Sequence, residues 1–252
     1  VSVAYKISKI RGLRRALRWS VQRKIQRFQK LELNKQQEDP LNLRNFEKRI
    51  YSQNGEDGII EEIFKRIGTT NQFFVEFGME DGRECNGRFL LQERQWSGLW
   101  IDGDTQNIQD MSSFFAEYSI QGLSAFITKD NIVELFQLGQ VPEIFDLLVI
   151  DIDGNDYWIW EALKSYQPRV VVIEYNGNHI PPRDWTMPYN KDHRFNGSAH
   201  YGASLTSLDR LGRQLGYSLV ACDSMGVNAF FVLTSLVSDL FSNTEKGAQY
   251  HY

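Results

Sequence analysis

Cysteine is scarce. Cys85 and Cys222 are the only two among 252 residues, far apart, and they match no metal-binding spacing. So little cysteine fits a reduced, cytoplasmic setting. No apolar run approaches the length of a membrane span, and no signal-peptide pattern opens the chain. Internal repeats and low-complexity blocks are missing too. Acidic residues are absent from the first 30 positions, which hold ten Lys and Arg. The remainder carries 18 basic against 32 acidic side chains, a net of −14 behind a whole-chain charge of −4. Such an acidic body argues against general nucleic-acid binding, since phosphates are repelled. The length fits one α/β domain with an appendage.

The appendage is basic and periodic. Val3, Ile7, Ile10, Leu13, Leu17, Val21, Ile25, Phe28 and Leu31 recur at three- and four-residue steps, so one amphipathic helix is predicted over Val1–Leu33. A basic amphipathic helix can lie on an anionic membrane surface, pair with a second copy as a homo-oligomer, or pack on the acidic body. Periodicity does not separate these three. Asn34–Leu43, with Asp39-Pro40, reads as a polar linker. Residues 1–43 are therefore set apart from a domain over 44–252.

That domain is organised around Phe73-Phe74-Val75-Glu76-Phe77-Gly78-Met79-Glu80-Asp81-Gly82. The apolar run reads as a parallel strand buried on both faces. Its acid falls near the carboxyl end, where open α/β sheets bind ligands. Further strands are predicted at Ser97–Asp102, Leu123–Ile127, Phe145–Ile152 and Arg169–Ile173, with helices between them. Strand and helix alternate, so the sheet is mainly parallel and three-layered. Gly177–Ser204 breaks the rhythm with Pro181, Pro182 and Pro188; a connection this long is usually a lid or binding loop. Tyr217–Ala221 and Ala229–Leu233 close the sheet as an antiparallel pair. A dinucleotide-binding strand would want G-x-G-x-x-G, and the third glycine is missing, which disfavours an NAD-dependent oxidoreductase.

Three stretches together resemble the FkbM-like methyltransferases: Tyr51–Gly58 (YSQNGEDG), Phe74–Gly82 (FVEFGMEDG), and Asp146–Asp156 (DLLVIDIDGND) continuing into Val170–Asn176 (VVVIEYN). The resemblance covers roughly residues 50–235. It implies a Rossmann-like class I sheet of five parallel strands plus an antiparallel hairpin. It also implies S-adenosylmethionine (SAM)-dependent methyl transfer to a hydroxyl of a sugar, glycan or small metabolite. One departure stands out. Asp153-Gly154 replaces the Glu-Gly of many members, shortening the acid by one methylene.

The residues support that chemistry as follows. Asp102, ending the second strand, is placed to accept the ribose hydroxyls of a nucleoside; the plainer alternative is a helix cap at Asp102 or Asp104. Gly78 and Gly82 allow close backbone approach to the methionine end. Glu76 is expected to take its amino group. Ser52 and Gln53 are expected to reach over the cofactor, unless Tyr51–Gly58 is only a polar turn before a helix. Thr128 is assigned to the adenine side, and Asp151 to the cofactor wall. Asp151 and Asp153 share one face of an extended strand, as do Glu174 and Asn176 on the next. Asp153, Glu174 and Asn176 thus form a candidate Mg²⁺ or Mn²⁺ site, with hydrogen-bonded acids that position substrate as the other reading. Asp153 and Glu174 are candidate catalytic acids. His193 and His200 are candidate bases, His200 preferred. Of Trp158 and Trp160, two apart on a helix, one is assigned to the core. The competing function is a non-catalytic SAM-binding or scaffold protein on the same fold.

Overall fold

The computed structural model describes residues 30, 35–37 and 39–241. The expected helix Val1–Leu33 lies outside them almost entirely. Seven strands form one sheet: β1 (Phe73–Phe77), β2 (Ser97–Asp102), β3 (Ile120–Ser124), β4 (Ile144–Ile150), β5 (Gln167–Glu174), β6 (Tyr217–Cys222) and β7 (Asn228–Leu233). The strand order is β3-β2-β1-β4-β5-β7-β6. β1 to β5 run parallel, and β7 is antiparallel to both β5 and β6. This is the Rossmann-like class I methyltransferase sheet that the strand–helix alternation and the closing hairpin predict.

Both faces of the sheet are covered. α1 (Glu56–Ile67), α2 (Arg88–Arg94) and α3 (Thr105–Phe114) pack Ile59, Ile60, Ile63, Phe89 and Met111 against Phe74, Trp100, Leu147 and Val172. On the other face α4 (Ile132–Leu138), α5 (Asp156–Ala162) and α6 (Leu205–Gln214) pack Phe136, Ile159, Trp160 and Leu208 against Val75, Phe77, Leu148 and Ile173. A short helix, α7 (Thr234–Val237), follows β7. Alternate residues of one strand thus enter different cores, which is why β1, β4 and β5 read as unbroken apolar runs. Trp160 is the core tryptophan of its pair. Trp158 is half-buried and donates its indole N–H to the Met187 carbonyl at 2.8 Å. Among the described residues no helix is long and apolar enough to cross a membrane.

The amino ends of β1, β4 and β5 are stapled by buried charge. Asp146 accepts from the Thr70 and Gln72 amides and from Arg169 at 2.8 Å; Arg169 also donates to the Gly68 and Ile67 carbonyls. Apart from their own ion pair, these contacts of Asp146 and Arg169 tie α1's exit to the sheet, so removing one partner strands a buried charge.

The third strand differs from expectation. It occupies Ile120–Ser124, registered from Gly98↔Ile120 to Asp102↔Ser124, not Leu123–Ile127. β3 is an edge strand and only half-buried, so it needs no apolar run. The apolar Ala125-Phe126-Ile127 instead leaves the sheet. β4 likewise stops at Ile150 rather than Ile152, and Asp153 adopts φ +54°.

Candidate functional site

The strand order reverses between β1 and β4, and open α/β sheets bind ligands at the carboxyl ends beside such a reversal. Two adjoining cavities of about 240 and 250 Å³ lie there. Gly78, Glu80, Asp151 and Asp153 line both. A larger cavity of about 570 Å³ lies among α1, α2 and Lys48, near Gln72 and Trp96 at the amino ends of β1 and β2, away from these strand ends.

Gly78 decides how β1 leaves the sheet. Its φ is +67°, and a Cβ there would stand 1.8 Å from the Asp151 carbonyl oxygen. Only glycine lets the β1 and β4 exits pass so closely. Glu76 holds the loop that follows. Its Oε1 accepts the Asn86 amide at 2.7 Å; its Oε2 accepts the Gly87 amide at 2.9 Å and the Trp100 indole at 2.8 Å. Burial nonetheless pushes its pKa up. With three bonds made, Glu76 has at most one lone pair for a ligand. Gly82 lines neither cavity; its φ is +75° and a Cβ there would stand 2.9 Å from the Trp100 ring, so backbone and packing both ask for glycine.

Asp102 ends β2 and lines the 250 Å³ cavity. Its Oδ1 accepts from the Asp104 amide at 2.8 Å and the Asn107 side chain at 3.1 Å; its Oδ2 accepts from the Glu80 amide at 3.1 Å. One acceptor position is left, room for one direct hydroxyl bond rather than two. The helix cap is Asp104, which accepts the Gln106 amide at 2.8 Å. Thr128 lies outside both cavities and is engaged with Asn131: its amide donates to Asn131 Oδ1, and its Oγ1 accepts from the Asn131 amide. Because β3 ends early, Ala125, Phe126 and Ile127 make the wall assigned to Thr128.

The long loop crosses this cavity. The Arg194 guanidinium sits 3.4 Å from the centroid of the Phe126 ring. His193 lines the cavity with Nε2 3.0 Å from the Asp153 carbonyl oxygen. His200 is elsewhere, exposed and edge-on to Trp185 at 5.3 Å. Of the two histidines the structure therefore brings His193, not His200, to the acids.

Asp151, Asp153 and Glu174 each place a carboxylate oxygen within 4.8 Å of the others. They converge although the shared-strand argument fails, since Asp151 and Asp153 lie on the turn beyond β4. Burial, reinforced by neighbouring acids, pushes Asp151 well up and Glu174 to about 10. Burial also raises Asp153, partly offset by His193. Glu174 Oε2 is buried without a hydrogen-bond partner. Asp156 closes the turn, accepting the Ile152 and Gly154 amides at 2.9 and 2.8 Å, with a pKa raised by burial to about 6. Tyr201 lies within the field of this cluster, its phenol pushed up to about 12 by burial and by Glu174. Asn176 does not join. It is fully buried, donates to the Ala199 and Tyr201 carbonyls, and accepts from Asn178. Its amide is consumed in fastening the loop, so the third acid beside Asp153 and Glu174 is Asp151.

Tyr51–Gly58 is mostly scaffold. Asp57 Oδ2 accepts the amides of Ile50, Tyr51 and Ser52 at 2.7–2.9 Å, and Ser52 Oγ accepts the Asp57 amide at 3.1 Å. Ser52 is buried in that ring and lines neither site cavity, whereas Gln53 lines the 240 Å³ one. Glu56 and Asn228 also belong to that wall and are joined at 2.9 Å; the sequence marks Glu56 only as an acid at a helix N-terminus and Asn228 only as a turn residue.

No family model matches the chain, and no curated protein does. Solved structures do. An O-methyltransferase from Bacillus cereus in complex with SAH is 13% identical over 80% of this chain and 87% of its own, with a TM-score of 0.46. An S-adenosylmethionine-dependent methyltransferase from Clostridium acetobutylicum is 10% identical over 69% and 89%, at 0.44. The carbon methyltransferase CurJ is 8% identical over 73% of this chain, which spans 56% of that one, at 0.47. The fold assignment rests on the strand order itself.

Proposed function

We propose that this chain is an FkbM-like, SAM-dependent O-methyltransferase acting on a hydroxyl of a sugar, glycan or small metabolite. The observation that carries the reading is one continuous line of residues. It runs from Asp102 at the end of β2, past Gly78, to the acids after β4 and at the end of β5. A nucleoside fits the Asp102 end, with Phe126 and Ile127 as apolar walls for a base. Gly78 and Glu76 face the methionine portion. The acidic lining suits a ligand carrying a sulfonium and an ammonium charge.

SAM, when bound, supplies the methyl carbon and a neutral thioether leaving group. The chain's own part is to align the acceptor oxygen behind that carbon and to receive the hydroxyl proton. Asp153 is the half-exposed acid of the three and serves as the proton acceptor. Its neighbour His193 holds the turn at the Asp153 carbonyl. Asp151, Asp153 and Glu174 fit a hard divalent cation, because three oxygens converge and one buried Glu174 oxygen lacks a partner. Such an ion would lower the pKa of a coordinated hydroxyl.

Transfer of label from [methyl-³H]SAM into a panel of sugars and phenols tests the reading. Labelled product that is lost in Asp153→Asn supports it. SAH binding with no transfer to any acceptor would favour a non-catalytic SAM-binding protein on this fold.

A further inference from the structure

The 240 Å³ cavity is charged in one sense only. Seven acidic side chains line it, among them Glu56, Glu84, Asp153 and Glu174, and no Lys, Arg or His is in its lining. Arg49 reaches Glu84 at 3.1 Å, on an exposed pair at the rim. Such a charge cluster alone does not make a site. A second observation points to a ligand.

Asn228 opens β7, directly opposite Glu174 in the antiparallel register. It is 3% exposed. Its Nδ2 donates to Glu56 Oε1 at 2.9 Å, while its Oδ1 is buried with no partner and belongs to a side chain on the cavity wall. Glu56 is held by Asn54 as well, through the amide at 2.8 Å. Orienting the amide nitrogen toward Glu56 leaves the oxygen as an acceptor for something that donates. Leaving a buried amide oxygen unbonded is costly, so a donor from a ligand is favoured there. A hydroxyl or ammonium hydrogen answers that need; a carboxylate or phosphate does not, and the surrounding acids repel it.

We propose that Glu56, Glu174 and Asn228 form the acceptor-binding wall, and that it admits neutral or amino-bearing polyols and rejects anionic ones. The proposal rests on the methyltransferase reading for its name of acceptor, and its charge rule is tested separately. Methyl α-glucoside, glucosamine and glucuronate, matched in ring and size, are compared by saturation-transfer NMR with the full chain, SAH and Mg²⁺, and again in EDTA. Saturation of the first two, and at least tenfold less of glucuronate in both arms, is expected. Asn228→Ala should lower the glucoside signal at least fivefold. Glu56→Gln, which keeps the shape and removes a charge, should narrow the glucuronate gap at least threefold. Glucuronate bound as well as the glucoside in either arm overturns the proposal; so does binding of none of the three, or an unchanged gap in Glu56→Gln. SAH saturation is read in the same tubes. Its absence sinks the methyltransferase reading, while the sugar signals still decide the charge rule.

Discussion

Replacing Gly78 by alanine should separate backbone strain from a steric block at the site. Two costs add at this position. A left-handed backbone costs an alanine about 1–2 kcal/mol. The new Cβ would also lie 1.8 Å from the Asp151 oxygen, where ordinary contact begins at 3.4 Å, so the β1 and β4 exits must part by about 1.6 Å. An overpacked core of this kind adds about 1–3 kcal/mol. Gly216 is the control. Its φ is +88° and a Cβ there meets nothing within 4 Å, so Gly216→Ala bears the backbone cost alone. For a domain of this size each kcal/mol moves Tm by about 2–4 °C. Thermal unfolding should therefore fall by about 2–8 °C for Gly216→Ala and by about 4–20 °C for Gly78→Ala. Calorimetric titration adds the second readout: SAH affinity should drop at least tenfold in Gly78→Ala and stay within twofold in Gly216→Ala. A displacement near 1 Å is enough to disrupt a bound geometry. Equal Tm losses in the two variants, with SAH affinity intact in both, would refute the argument that Gly78 marks the ligand's close approach.

Asp102→Ala should weaken SAH binding at least tenfold by calorimetry; an unchanged Kd removes Asp102 from the site. Glu174→Gln should lower turnover on the order of 10²-fold or more while SAH affinity holds, and EDTA inhibition reversed by Mg²⁺ or Mn²⁺ should vanish in that variant; wild-type turnover would leave the acid cluster a structural role only. Metal-free protein should lose stability as pH rises. Glu174 keeps its proton to about pH 10 when folded but to about 4.5 when unfolded. That stabilisation is full below pH 4.5 and is lost as pH climbs toward 10, by up to about 1.4 kcal/mol per unit. Urea melts at pH 6 and 8.5 in EDTA should show the fall, reduced in Glu174→Gln; a rise in stability would contradict it.

What the residues made legible divides by burial. β1, β2, β4 and β5 lie inside the sheet, so their apolar runs stand out and their ends fell within about two residues. β3 lies at the edge, and its Ile-Gln-Gly-Leu-Ser carries too little apolar pattern to compete with the Ala125-Phe126-Ile127 beside it. The acids were legible as strand-end carboxylates. Their partners were not, because an Asn at a strand end reads the same whether it faces a ligand or fastens a loop. Asn176 fastens the loop; Asn228, 52 residues later in the chain and paired against β5, faces the cavity. Asp57 and Asp156 were missed as organisers. Each accepts amides from the turn before its own helix, a local habit of Asp that the Gly-Glu-Asp and Asp-Gly-Asn-Asp spacings do signal. Pairing of His193 rather than His200 with the acids depends on how the long loop crosses the cavity, which has no periodicity to read.

Every role proposed for these residues requires SAM at the carboxyl ends of β1, β2 and β4. Isothermal titration of the full chain with SAM, SAH and NADH tests that requirement most directly. One-to-one binding of SAM and SAH, weakened in Asp102→Ala, with no heat from NADH, is the predicted result. Saturable NADH binding, or no binding of SAM and SAH to a folded protein, would contradict it.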